Sequence, residues 1–238
     1  MPADPDSGVR APGWRLLLGE SRMLTERLKA WRTGNDGMAD VEGQGQPILI
    51  VPGFGATDRS TAILTRRLQA CGFAASGWGE GLNRGMSATL RKRLAEKVEA
   101  LHAETGTKVT LVGWSLGGVF VREMARHLPE HVARVITLGA PFNITPAANN
   151  MLPLFRLVNL GRPVNLDWEG FGRRAVAPPV PCTALYSKSD GIVAWQTACE
   201  DAGEHTENIE IHGSHFGMPA SPQVLQIIAE RVAAVRPD

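Results

Sequence analysis

Cysteine is scarce: Cys71, Cys182 and Cys199 are scattered over 238 residues. An odd count at wide spacing reads as thiols and excludes a disulfide-stapled scaffold, and without a Cys-x-x-Cys pair a thiolate zinc site is excluded as well. Aromatics make up 6% of the chain, with a single tyrosine, and 25 basic residues are matched by 24 acidic ones for a net charge of +1. Such a chain has no field that would gather a polyanion, and its basic residues lack interleaved aromatics for base stacking, so no nucleic-acid partner is expected. No Asp-rich calcium loop is visible, and no metal is required. The longest apolar run, around Pro47–Pro52, falls far short of the about 20 residues that cross a bilayer. The opening MPADPDSGVRAPGW lacks the basic and apolar regions of a secretory leader. The expectation is a soluble, cytoplasmic, single-domain protein without cofactor.

What the chain does have is alternation. Residues 1–13 read as a disordered tail. Leu16, Leu17, Met23, Leu24, Leu28 and Trp31 recur at helical spacing with Arg and Glu between them, so 14–33 reads as a helix. That helix either packs on the body of the domain or contacts a membrane surface or a partner. A turn-rich linker, 34–46, follows. Apolar strands are expected at 47–51, 73–76, 108–112, 135–138, 183–187 and 209–211. Helices are expected at 58–70, with Asp58, Ser60 or Thr61 as N-cap, and at 87–104, 116–127 and 223–235. The fold class is therefore α/β, a mostly parallel sheet of about six strands with helices on both faces. The expected organisation is an N-terminal tail and helix over 1–45 and a main domain over 46–238. Within the latter, 142–181 is Pro- and Asn-rich and breaks the alternation, which reads as a small cap inserted after the fourth strand.

The run Gly113-Trp114-Ser115-Leu116-Gly117-Gly118 joins the third strand to a helix. A sharp strand-to-helix turn strains the residue at its apex and projects its side chain alone over the sheet edge. Glycines on either side leave room for the crossing backbones, and the helix N-terminus turns N–H groups and positive potential toward the site. The plainer use of such a serine is to cap the helix.

With that context, the chain from about Gln46 to Val235 resembles the α/β-hydrolase superfamily, and within it the lipase- and esterase-like members. The resemblance implies that Ser115 is a nucleophile, with an acid and then a histidine following it in the chain. His127 and His131 lie too near the elbow helix, and His212 could pack at a strand end. His215, in Gly213-Ser214-His215-Phe216-Gly217, stands where the family has its base. Ser187-Lys188-Ser189-Asp190-Gly191-Ile192-Val193 resembles the family's S-x-x-D-G-x-V loop and makes Asp190 the acid. Asp167, Asp201 and Glu204 read as solvated charges. The oxyanion hole would use the backbone N–H of Leu116 and, from Pro52-Gly53-Phe54-Gly55-Ala56, that of Phe54. Relatives often carry His-Gly where this chain has Pro52-Gly53, which removes a bracing side chain but no backbone donor.

Phe54, Trp114, Ile192, Phe216 and Met218 flank these loops, and the cap adds Leu154 and Phe155, an apolar wall suited to an acyl chain; each alone could equally be core. Trp78–Gly85 is a second Gly-rich loop without the strand–helix context of a dinucleotide fingerprint, in which Asn83 either touches substrate or holds a turn. The expected substrate is a small-molecule carboxylic ester. A thioesterase or acyltransferase would use the same residues, and a non-catalytic binding domain on the same scaffold is the reading from another class. Relatives that open epoxides or carbon–halogen bonds carry Asp at the elbow, and this chain has Ser115.

Overall fold

Short runs of aliphatic residues, each too brief for a buried helix, become strands here, and the amphipathic stretches between them become the layers that cover both faces. The computed structural model describes residues 8–33, 41–144, 148–151 and 174–234. Among these residues the strands are β1 Pro47–Val51, β2 Ala74–Gly77, β3 Val109–Trp114, β4 Val132–Leu138, β5 Cys182–Tyr186 and β6 Thr206–Glu210. The helices are α1 Trp14–Gly19, α2 Met23–Thr33, α3 Asp58–Ala70, α4 Ala88–Thr105, α5 Leu116–His127 and α6 Pro222–Ala233, with a 3-10 turn Glu20–Arg22 between α1 and α2. The order across the sheet is β2-β1-β3-β4-β5-β6, and every neighbouring pair is parallel.

Alternation along β1 divides the core. Ile48 and Ile50 face Leu64 and Leu68 of α3 and Val224 and Ile228 of α6. Leu49 and Val51 face the other way, toward Leu94 and Val98 of α4 and Phe120 and Met124 of α5. β1 and β3 are buried along their whole length, whereas β6 is half-buried throughout, as an edge strand is. Sequence and structure differ in small ways: β4 starts three residues earlier than expected, and α3 is capped by Thr57, whose side chain accepts from the Arg59 N–H. None of the three expected caps, Asp58, Ser60 or Thr61, fills that place, and Asp58 accepts from the N–H groups of Trp78 and Gly79, at 3.0 Å each.

The chain re-enters the described structure at Arg174 against a buried cation. Arg122 of α5 is ion-paired with Glu200, both fully covered. Its guanidinium lies 3.7 Å over the Phe142 ring and donates to the carbonyls of Arg174, Ala175 and Val176 at 3.1–3.3 Å. Loss of hydration on burial pulls the Arg122 guanidinium down to about 9. Removing one partner of a buried pair leaves a bare charge and typically costs about 3–5 kcal/mol, whereas replacing both by apolar groups is often neutral. Glu200→Leu is therefore expected to lose about 3–5 kcal/mol in urea unfolding, and Arg122→Met/Glu200→Leu to regain most of that loss.

Candidate active site

Ser115 sits between the last residue of β3 and the first of α5 with φ 54° and ψ −124°. Ser115 and Ile144 are the non-glycine residues with positive φ among those described, and such a conformation costs on the order of 1–3 kcal/mol. The turn is forced by crowding: a Cβ on Gly113 would lie 2.4 Å from the Gly118 Cα, and one on Gly117 would lie 2.3 Å from the Val51 carbonyl oxygen. The plain capping use of Ser115 is not what the structure has. The side chains of Thr57, Ser87 and Ser221 each cap a helix, while that of Ser115 makes no cap bond. Its residue keeps partial exposure at the carboxyl edge of the sheet, where ligands of open α/β sheets bind.

The loop after β1 lies against this turn. A Cβ on Gly53 would be 3.0 Å from the Ser115 Cβ, so the backbone entering Phe54 passes beside the serine. Leu116 opens α5, and the N–H of a first helical residue has no partner within its helix. Asn83 fixes the loop from behind. It is fully buried, donates from Nδ2 to the Pro52 carbonyl at 2.7 Å, and accepts at Oδ1 from the Gly85 N–H at 3.0 Å. Its backbone exchanges further bonds with Gly55 and Ala56. Of its two sequence readings, the turn is the one seen.

Asp190 follows β5 and His215 follows β6. Nδ1 of His215 lies 2.7 Å from Oδ2 of Asp190, and the two residues are 1% and 3% exposed respectively. The other carboxylate oxygen of Asp190 accepts from the N–H groups of Ile192 and Val193, both at 2.8 Å. A carboxylate so placed accepts a hydrogen bond from Nδ1–H, the tautomer in which Nε2 is left as the acceptor. The pair also presses on the end of β4: at Gly139, with φ 54°, a Cβ would come within 3.0 Å of His215 Nδ1 and 3.1 Å of Asp190 Oδ2. Trp114, next to Ser115, donates from Nε1 to the His215 carbonyl at 3.1 Å, and its ring lies 5.6 Å from the imidazole.

The rejected candidates lie elsewhere. His127, His205, His212 and Glu204 are exposed, His131 packs on His102 with ring centroids 4.8 Å apart, and Asp201 accepts from Asn143 Nδ2 at 3.0 Å. Asp167, Leu154 and Phe155 fall outside the described residues, as does most of the cap over 142–181. The apolar wall needs correcting. Trp114 and Met218 are buried in the core with Ile48, Leu64 and Val224, Ile192 is buried with Val193 and Ala198, and Phe54 and Phe216 keep part of their surface open. Among the described residues no group of three or more His, Cys, Asp or Glu could hold a metal ion.

One further set of contacts joins the N-terminal segment to these loops. Glu20, 6% exposed in the turn between α1 and α2, accepts at Oε1 from the N–H groups of Gly191 (2.8 Å) and His215 (2.9 Å), and at Oε2 from that of Phe216 (3.1 Å). Glu26 accepts from the Ser214 N–H at 3.1 Å and from its hydroxyl at 2.5 Å. So 14–33 packs on the domain through its carboxylates, while Trp14, Leu17, Leu18, Leu24 and Leu28 face outward. An acidic residue on the inner side of a Leu-rich helix was the only available signal.

A family model for the alpha/beta hydrolase fold matches residues 46–158. Solved structures with similar folds include a Bacillus licheniformis lipase in its mature form, 16% identical over 84% of this chain and 97% of that one, with a TM-score of 0.58. A monoacylglycerol lipase from Paleococcus ferrophilus is 17% identical over 80% and 96%, with a TM-score of 0.56. A thioesterase domain from the curacin biosynthetic pathway is 13% identical over 80% and 92%, with a TM-score of 0.52. No curated protein sequence matches the chain.

Asn83→Ala would leave the Pro52 carbonyl and the Gly85 N–H buried without partners, at about 1–3 kcal/mol each. The expected result is a loss of about 2–4 kcal/mol in urea unfolding, with faster amide exchange at Gly55. Exchange at the wild-type rate would mean that something other than Asn83 holds this loop.

Proposed function

We propose that this protein, whose fold is that of the α/β hydrolases, is a serine hydrolase that cleaves carboxylic esters with an apolar, lipid-like acyl group. The observation that carries the reading is the buried Asp190–His215 pair, standing at the same sheet edge as a strained serine whose hydroxyl caps nothing.

In this reading His215 Nε2 takes the Ser115 hydroxyl proton as the serine oxygen bonds to the ester carbonyl carbon. The carbonyl oxygen becomes an oxyanion, met by the N–H groups of Phe54 and Leu116. Asp190 holds the imidazole by its Nδ1 proton and stabilises the cation formed. The carbon–oxygen bond to the alcohol then breaks, the alcohol leaves with the proton from His215, and the acyl group stays on Ser115. Water, deprotonated by His215, attacks the acyl carbon, releases the acid, and returns the proton to Ser115.

An apolar acyl group is favoured by the open faces of Phe54 and Phe216 and by the N-terminal helices. Trp14, Leu18 and Leu24 are 67%, 66% and 67% exposed there. Arg10, Arg15, Arg22, Arg27, Lys29 and Arg32 share the segment, while both of its acids point inward. Arg22 turns in to the Ser189 carbonyl, and the exposed Arg10, Arg15 and Arg32 together with the exposed apolar residues suit an anionic lipid surface. Thioester cleavage or acyl transfer to an alcohol is the second reading, favoured by the thioesterase neighbour, and it uses the same acyl-enzyme.

A fluorophosphonate probe followed by peptide mapping should label Ser115. Turnover of a p-nitrophenyl ester should fall at least about 10,000-fold in Ser115→Ala and by a comparable factor in Asp190→Asn. Folded protein that stays unlabelled at Ser115 would sink the hydrolase reading. Octanoyl esters should be preferred over acetyl esters, and relative rates on matched thioesters separate the second reading from the first. In sedimentation with vesicles, the protein should partition to those rich in phosphatidylglycerol and not to pure phosphatidylcholine. Trp14→Ala/Leu18→Ala/Leu24→Ala should abolish that partitioning.

A further inference from the structure

The base loop is held to an unusual degree by a segment far away in sequence. Four consecutive backbone N–H groups are taken up: Ser214 by Glu26, His215 and Phe216 by Glu20, and Gly217 by the Ser214 hydroxyl at 3.0 Å. Glu20 also crosses to the acid loop, through the Gly191 N–H, where Arg22 donates to the Ser189 carbonyl at 3.4 Å. We propose that Glu20 is a positioning residue for the Asp190–His215 pair, its buried carboxylate fixing the peptide after the acid against the peptides at and after the base. The inference rests on the serine-hydrolase reading above.

The physical case has three parts. First, Asp190 and His215 ride on loops after β5 and β6, the strands farthest from β1 and β3. Their side-chain bond fixes the distance between two atoms but not the tilt of the imidazole, on which the aim of Nε2 at Ser115 depends. A second anchor at the His215 backbone, tied to the residue after Asp190, removes that freedom. Second, three N–H donors converge on one carboxylate. Charge-assisted bonds of this kind are shorter and about twice as strong as neutral ones, and without Glu20 the three donors would be buried and unpaired. Third, the chemistry calls for a carboxylate. A glutamine has one acceptor oxygen and would turn its NH2 toward a donor, so Gln keeps at most the Gly191 and His215 bonds and loses the one to Phe216.

A mere pin for the N-terminal helices would change stability and leave the chemistry alone. The test is therefore the second-order rate of fluorophosphonate labelling at Ser115, read well below each variant's melting temperature. Wild type is compared with Glu20→Gln, Glu20→Ala and a core comparator, Leu68→Ala. Labelling is expected to slow about tenfold in Glu20→Gln and about 100-fold in Glu20→Ala, and to stay at the wild-type rate in Leu68→Ala although that variant is also destabilised. With a p-nitrophenyl ester, Glu20→Gln should lower kcat and leave KM within about twofold. The downfield proton resonance of His215 Nδ1 should broaden in Glu20→Gln and not in Leu68→Ala. If Glu20→Ala does not fold, Glu20→Gln decides. Labelling of folded Glu20→Gln at the wild-type rate, with an unchanged resonance, overturns the inference while leaving the hydrolase reading intact. A wild type that is never labelled removes the hydrolase reading and this one with it.

Discussion

The hydrogen bond between His215 Nδ1 and Asp190 Oδ2 sets the terms that its surroundings meet. A carboxylate that is 3% exposed is tolerable only if its remaining lone pairs are met. The chain after Asp190 therefore curls so that Ile192 and Val193 point their N–H groups back at it. That curl turns the carbonyls of Gly191 and Ile192 outward, where Asn150 takes both, one through its side chain and one through its backbone N–H. It also turns the Gly191 N–H toward Glu20. On the other side the pair needs space, and the end of β4 supplies it with Gly139, a residue that also holds a left-handed φ.

The two halves of the site differ in what holds them. Ser115 and the Phe54 loop rise from β3 and β1, neighbouring strands that are buried end to end. Close glycine contacts fix their backbones, and the side chain of Asn83 braces the Phe54 loop. Asp190 and His215 rise from β5 and the half-buried edge strand β6. Packing is thinner at β6, and polar contacts hold the two loops: Ser187 to Gly213, Trp114 to His215, Asn150 to the Asp190 loop, and the two glutamates. Rigidity that the centre of the sheet has from close packing is rebuilt at its edge from hydrogen bonds.

This division also governs what was legible in the sequence. Aliphatic runs marked all six strands to within a few residues, because a two-sided parallel sheet needs continuous burial. The elbow was legible because its crowding demands glycine at Gly113 and Gly117, a local requirement with a local signature. Asp190 and His215 could be named only through resemblance, since nothing nearby in sequence says that two loops 25 residues apart meet. Glu20 was out of reach, because its partners lie 171 to 196 residues away. Thr57 and Asp58 traded roles because two adjacent oxygens could each serve the helix start, and the one that also reaches Trp78 was drawn to the longer-range bond. Periodicity marked an apolar stripe on 14–33 but carries no information on which way the stripe faces.

Its outward orientation has a consequence. α1 and α2, of 6 and 11 residues, are too short to be stable in isolation, where about 12–15 residues are needed even for good helix formers. Their seating depends on what they touch, and what they touch is polar: Glu20 and Glu26 on the base loop, Arg67 on the Ala30 carbonyl, Asn150 on the Pro12 carbonyl. Burial of Trp14, Leu18 and Leu24 contributes little to that seating, since these side chains lie open. Folding stability therefore gives no reason for them to be apolar, whereas the lipid surface proposed above would cover them. Whatever covers the outer face binds the seated helices and not the unseated ones. By linkage it adds its differential binding free energy to the contacts of Glu20. The two faces of this segment would then be thermodynamically coupled, so that a surface holding the leucines would also hold the His215 loop in place.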